Sequence, residues 1–213
     1  MRRRNTVISI SMPLAVLIIV VAAYAATTAP KPPAAGATAT APIATGDTLR
    51  QVHSPGHVAV DEQLHAGQCH VRIRDAGNGL VLPDAACTPG AVDPGVTQAN
   101  IHQTICVHGY TATVRPPQSD TGPAKHESLG DYGLSYQPTT EYDHLVPLEL
   151  GGTNAVSNLW PEPNASAARG FNNPKDQVEN TLAAAVCDGR VPLAAAQHAI
   201  AADWTTATAS LGL

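Results

Sequence analysis

Aromatic side chains are scarce: one Phe, two Trp and five Tyr make up 4% of the 213 residues. A core must therefore be assembled mainly from Ala, Val, Leu and Ile. Charge is thin as well, at 14% of residues, and basic side chains are the scarcer sign, with 12 Lys and Arg against 17 Asp and Glu. Three of the 12 are Arg2, Arg3 and Arg4; the remaining nine face 17 acidic residues, a balance of −8. Proteins that coat nucleic acid electrostatically are usually basic. This balance argues against such a role but leaves room for an enzyme that grips a few phosphates. The chain has only four cysteines and no C-x-x-C pair, which argues against a zinc ribbon. No internal repeat is evident.

The one long apolar run is N-terminal. Arg2–Arg4 precede a stretch from Val7 to Ala26, and Ala23-Tyr24-Ala25 fits a small-x-small cleavage site. Residues 1–26 are thus expected to be a signal peptide or a membrane anchor, with the signal peptide preferred because Ser9, Ser11 and Pro13 interrupt the run. Either reading exports the rest of the chain, to a secreted, periplasmic or cell-surface location, because the Arg cluster stays inside. Residues 27–47 are almost all Ala, Thr, Pro and Gly, the composition of a flexible linker. Membrane contact is expected only through an N-terminal anchor.

Cys69, Cys87, Cys106 and Cys187 form an even set in an exported chain, so two disulfides are expected, with three connectivities open. His65 and His70 flank Cys69, and His102 and His108 flank Cys106. Scattered imidazoles of this kind are more often surface residues than ligands.

Residues 48–140 read as a β-rich, Cys-containing region with a loop. Val71, Ile73 and Leu80–Leu82 have strand character around a Gly77–Gly79 turn. Thr97 is placed to cap a short helix over residues 98–105, and residues 116–140 have the composition of a long connecting loop. Residues 141–213 are better patterned. An extended run, EYDHLVPLEL, ends at Gly151-Gly152, and AVSNLWP supplies a return. Asn173 and Pro174 then make a helix start, Val178, Leu182 and Val186 repeat on one face, and Gly189 closes the helix. Leu193, Ala196, Ile200 and Trp204 share a face of one more helix after Pro192. Trp160 and Trp204 are expected in the core.

The order strand, turn, strand, loop, helix resembles the ββα-metal, or His-Asn-His (HNH), nuclease module. Asp143-His144, the Gly-Gly turn followed by Asn158-Leu159, and Asn172 with Lys175 three residues later carry the likeness. The blocks CTPGA, TICV.GYT..VRPP, DHLVPLELGG, NLWPEP and KD..EN are similar to those of exported bacterial HNH-like proteins and fall between Cys87 and Trp204. The resemblance implies an α+β fold: a small disulfide-braced β-rich part, a ββα module and a C-terminal helix. It implies His144 as general base, Asn158 as a catalytic-site residue bracing the loop, and Asp143 and Asn172 as metal ligands. Lys175 and Arg169 are the candidate substrate contacts.

The chemistry suits these residue types. Phosphodiester hydrolysis needs a base near neutrality and a hard cation to accept charge at the leaving oxygen. A carboxylate and an amide favour Mg²⁺, with Mn²⁺ or Zn²⁺ as substitutes. The expectation is a monomeric, exported endonuclease with nucleic acid as its partner. The alternative is a non-catalytic binding or scaffold module that keeps the fold. Two departures stand out: Asn rather than His at the third position, and a long loop between Asn158 and Asn172. Adjacent residues of a strand face opposite ways, so the resemblance also implies an irregular turn at Asp143-His144.

Overall fold

Pro117, Pro174 and Pro192 stand at the starts of the three longest helices among the described residues. The computed structural model describes residues 48–164 and 173–213. The expected signal peptide or anchor, the linker, Arg169 and Asn172 lie outside the described residues. The class is mixed, with helices and three small two-stranded sheets.

The first half holds four short strands: β1 (Arg50–Gln51), β2 (Arg72–Asp75), β3 (Leu80–Leu82) and β4 (Ala91–Val92). β1 pairs parallel with β4, and β2 pairs antiparallel with β3. Gly79, at φ 70°, closes the β2–β3 turn after a 3₁₀ turn over Ala76–Asn78. Helix α1 (Tyr110–Val114) follows. The stretch after Thr97 forms only a 3₁₀ turn, Ile101–Gln103, rather than the helix expected there.

Where the sequence suggested a long loop, the chain forms α2 (Gln118–Asp131). Its composition hides it, since Gly122 and Pro123 both lie inside. Pro117 stands at the N-cap, Asp120 suits the first turn, and only Ser128, Leu129 and Asp131 are buried. A helix with so narrow an apolar face leaves almost no periodic trace.

The second half follows its pattern closely. β5 (Thr140–His144) pairs antiparallel with β6 (Leu159–Pro163). Helix α3 (Pro174–Cys187) starts at a full capping box, in which Asn173 accepts from the Asp176 amide and Asp176 accepts from the Asn173 amide. Gly189, at φ 71°, takes the left-handed conformation just past its end. α4 (Leu193–Asp203) and α5 (Ala207–Ser210) complete the chain.

The two halves share one core. The described residues fall within a single compact unit, and isolated bridges join Ala59 to Ala155 and Val92 to Gly152. Trp160 and Trp204 are both essentially closed to solvent, packed with Leu145, Leu182, Val186 and Ile200. Each large side chain buried in this way contributes about 2 kcal/mol. The Trp204 Nε1 donates to Val81 O at 2.7 Å, fixing α4 and its C-cap residue against β3.

The disulfides are Cys69–Cys87 and Cys106–Cys187. They close loops of 18 and 81 residues. In the chain-entropy picture these contribute about 3 and about 4.5 kcal/mol. Two such bridges fit an extracellular or periplasmic protein. Among the described residues, no helix is long and apolar enough to cross a membrane.

Candidate functional site

The β5–β6 hairpin sets the geometry. Glu141 lies opposite Glu162, and Asp143 lies opposite Trp160. Residues two apart, and residues directly across the ladder, share a face. Glu141, Asp143 and Glu162 therefore occupy one face, against which α3 brings Lys175 and Glu179. Thr140, Tyr142 and His144 belong to the other.

Pairing stays regular through His144, which sits opposite Leu159. The irregular turn implied at Asp143-His144 starts one residue later, as a bend at Leu145-Val146, although the Leu145 amide still donates in register to Asn158 O at 2.8 Å. Asp143 and His144 thus keep their opposite strand faces. They come to one site because the strand ends there, and both border the same open cleft.

The loop after β5 is held by Asn158, which is fully buried and uses its whole side chain. Its Oδ1 accepts from the amides of Val146 at 2.9 Å and Ala91 at 3.2 Å. Its Nδ2 donates to Val146 O at 2.9 Å and Thr153 O at 2.8 Å. No donor or acceptor is left for a substrate, so Asn158 braces the loop rather than touching the chemistry. Gly152 is the other fixed point: a Cβ there would stand 1.7 Å from Val146 O.

His144 is 7% exposed. Its Nε2 lies 2.8 Å from Asn154 Oδ1. The Asn154 Nδ2 donates to Ser54 O at 2.6 Å and Val114 O at 2.9 Å, so its Oδ1 is aimed at the ring. Nε2 must then carry the proton, and Nδ1 is the free base. Among the described residues Nδ1 takes no hydrogen bond. Burial pushes the imidazole pKa down to about 4, and the nearby Arg115 and Lys175 charges push the same way; Asn154 and Asp143 oppose them.

Two clefts of about 380 Å³ each meet at His144. One is lined by carboxylates, among them Glu141, Asp143, Glu149 and Asp176. The other carries Lys125. Arg115, on the chain leaving α1, borders both.

Lys175 does not reach toward the solvent, as a phosphate contact would. It is 1% exposed, with Nζ 2.7 Å from Asp143 Oδ2 and donating to His144 O at 2.8 Å and to Glu179 Oε1. Burial works against its charge, but the carboxylates of Asp143, Glu179 and Glu162 outweigh it and hold the ammonium above its ordinary pKa. One cation serves several acids. Burial raises Glu162 and Glu179, and the Asp143 charge adds to it while Lys175 opposes. Burial, Asp143 and Asp176 lift Glu141 to about 7, although Asn173 Nδ2 donates to it at 3.2 Å. Glu162 is completely buried, and neither carboxylate oxygen has a partner among the described residues.

The sequence pointed to Asp143, His144, Asn158 and Lys175, and the fold gathers them around one hairpin. It missed Asn154 and Glu141. A signal for Asn154 was present in retrospect: an amide ten residues past the imidazole, beside the glycine pair.

As for a cation, the cleft offers hard oxygen donors. Among the described residues, however, no three His, Cys, Asp or Glu side chains converge on one point. Asp143 is the carboxylate adjoining His144, and one of its oxygens already faces Lys175. No known family, curated protein or solved structure matches the chain.

Proposed function

We propose that this protein is an exported HNH-like endonuclease that hydrolyses phosphodiester bonds. The observation that carries this reading is His144, whose tautomer is fixed by Asn154 and whose Nδ1 is free where two clefts meet. The hairpin followed by α3 supports it, in the order the resemblance implies. His144 is neutral at physiological pH, the form that accepts a proton, although its lowered pKa makes it a weaker base than a free imidazole. Arg115 stands where it can face a phosphate across from the acids. Asp143 is the ligand for a divalent cation, Mg²⁺ by preference, with water and phosphate oxygens completing the shell. That cation would supply charge stabilisation at the leaving oxygen.

A second reading has its own observation. The Lys175 ammonium beside Asp143 already neutralises the carboxylate a cation would need. A disulfide-braced scaffold with no metal chemistry would look the same.

The test is nicking of supercoiled plasmid, and cleavage of single-stranded RNA, by the oxidised protein with Mg²⁺ or Mn²⁺ and with excess EDTA. His144→Ala is expected to reduce cleavage by about 10²- to 10⁴-fold while thermal unfolding stays cooperative. Cleavage that survives this substitution sinks the assignment of the base. The scaffold reading predicts no cleavage, and no metal-dependent thermal shift that Asp143→Ala removes.

A further inference from the structure

The face of β5 turned away from the acids, which His144 and Tyr142 share, also borders a second cavity that the nuclease reading does not use. Tyr142 lies between Glu141 and Asp143 in sequence, so its side chain leaves the strand on the other side. There it lines a cavity of about 330 Å³ between α2 and the segment around residues 58–65. That is the lower end of the range for small-ligand pockets.

Three carboxylates line this cavity: Glu62, Glu127 and Asp131. Asp131 is only 8% exposed, and among the described residues its carboxylate takes no hydrogen bond and no ion pair. Glu62 gives one oxygen to Arg50 at 2.9 Å, while its Oε1 is closed to solvent with no partner among the described residues. Asp131 is thus an unpartnered acid, nine-tenths buried, on the wall of this space, and Glu62 adds an orphaned oxygen beside the one that Arg50 holds. Burial raises both Asp131 and Glu62. His65, which is exposed, is the one lining side chain able to carry positive charge.

The remaining walls select what could satisfy these acids. They are aliphatic, with Val60 standing 74% exposed, and Tyr142 contributes an aromatic ring. Among the described residues no three His, Cys, Asp or Glu side chains converge as a metal ion requires. Spread carboxylates, an aromatic face and an aliphatic wall suit an ammonium group on an alkyl chain: the acids take the charge, the ring faces it, and the methylenes cover the valines.

We infer that the pocket formed by Glu62, Glu127, Asp131 and Tyr142 binds a primary alkylammonium ion, such as a free diamine or the side chain of a lysine. The pocket shares Tyr142 with one His144 cleft but none of its three acids, so it stands or falls independently of the nuclease assignment.

Isothermal titration of the oxidised protein with cadaverine, butylamine and a capped lysine tests this. Saturable one-to-one binding is expected, weakened at least tenfold by Asp131→Asn and unchanged by Asp188→Asn, an exposed acid elsewhere. Val60→Lys, a surface change that leaves folding intact, is expected to place its own ammonium in the pocket and block binding. Preference for cadaverine would identify a free diamine, and preference for capped lysine a protein-borne amine. The inference is overturned if none of the three amines binds saturably. It is also overturned if binding survives both Asp131→Asn and Val60→Lys, or if Ca²⁺ or Mg²⁺ occupies the pocket in place of the amines.

Discussion

At the scale of single residues, the site depends on an amide that does no chemistry itself. Asn154 takes its orientation from Ser54 O and Val114 O and passes it to the His144 ring. Asn154→Ala would leave Nε2–H without its acceptor and free the ring to exchange tautomers. Cleavage is expected to fall on the order of 10²-fold or more with binding little changed, read as a drop in kcat at constant KM. The acids beside it make the opposite kind of residue, retained against stability. The buried Glu162 has a pKa held above its ordinary value, so the folded state keeps a proton that the unfolded chain gives up above about pH 4.5. Its contribution is intact below that pH and is lost as pH rises through the folded value. Glu162→Gln keeps the shape and removes the titration. The variant is expected to be more stable than the natural protein at pH 8, by about 1–3 kcal/mol, and nearly equal to it at pH 4, as measured by urea unfolding. His144 runs the other way. Its folded pKa of about 4 lies below the ordinary 6.5, so its contribution is whole above pH 6.5 and declines as pH falls toward 4.

At the scale of elements, the loop between β5 and β6 turns on Gly152. Its backbone passes so close to Val146 O that any side chain would force the loop apart. Gly152→Ala is expected to destabilise the protein by about 3 kcal/mol, seen in thermal unfolding, and to displace Asn154 with it. How much of this was legible depended on the physics of each element. The hairpin, the Asn173 cap, the Gly189 stop and the Leu193–Trp204 face could be read because each leaves a periodic or stereochemical mark. Helix α2 could not, since Gly122 and Pro123 are poor helix formers and its buried face is three residues wide. The region before it reads as β-rich but forms only strands of two to four residues, held by long-range contacts rather than by their own pattern. In the site, the bare residue types were visible while their directions were not. Lys175 follows a helix cap and looks like a surface cation; only the tertiary pairing of α3 with β5 turns it inward to Asp143. Asn154 escaped notice because its partners, Ser54 and Val114, lie 100 and 40 residues away.

At the scale of the whole molecule, the proposed nuclease activity would require an acidic protein to hold a polyanion by few contacts. Of the basic residues near the hairpin, Lys175 is internal and Arg190 faces Asp188 at 3.6 Å. Lys125 donates to Thr140 O at 2.6 Å and stands 5.1 Å from the Tyr136 ring, so it is partly spent on the fold. Arg115 is exposed and borders both clefts. A grip of one or two phosphates predicts weak binding with a shallow salt dependence, because each neutralised phosphate adds about −0.9 to the slope of log affinity against log salt. The slope for nucleic acid is expected near −1 to −2, measured by fluorescence anisotropy across a salt series. Arg115→Ala should bring it about one closer to zero and raise KM without moving the pH profile that His144 sets. A steep slope would instead require a basic surface that this charge balance does not provide, and would place the substrate away from the His144 clefts.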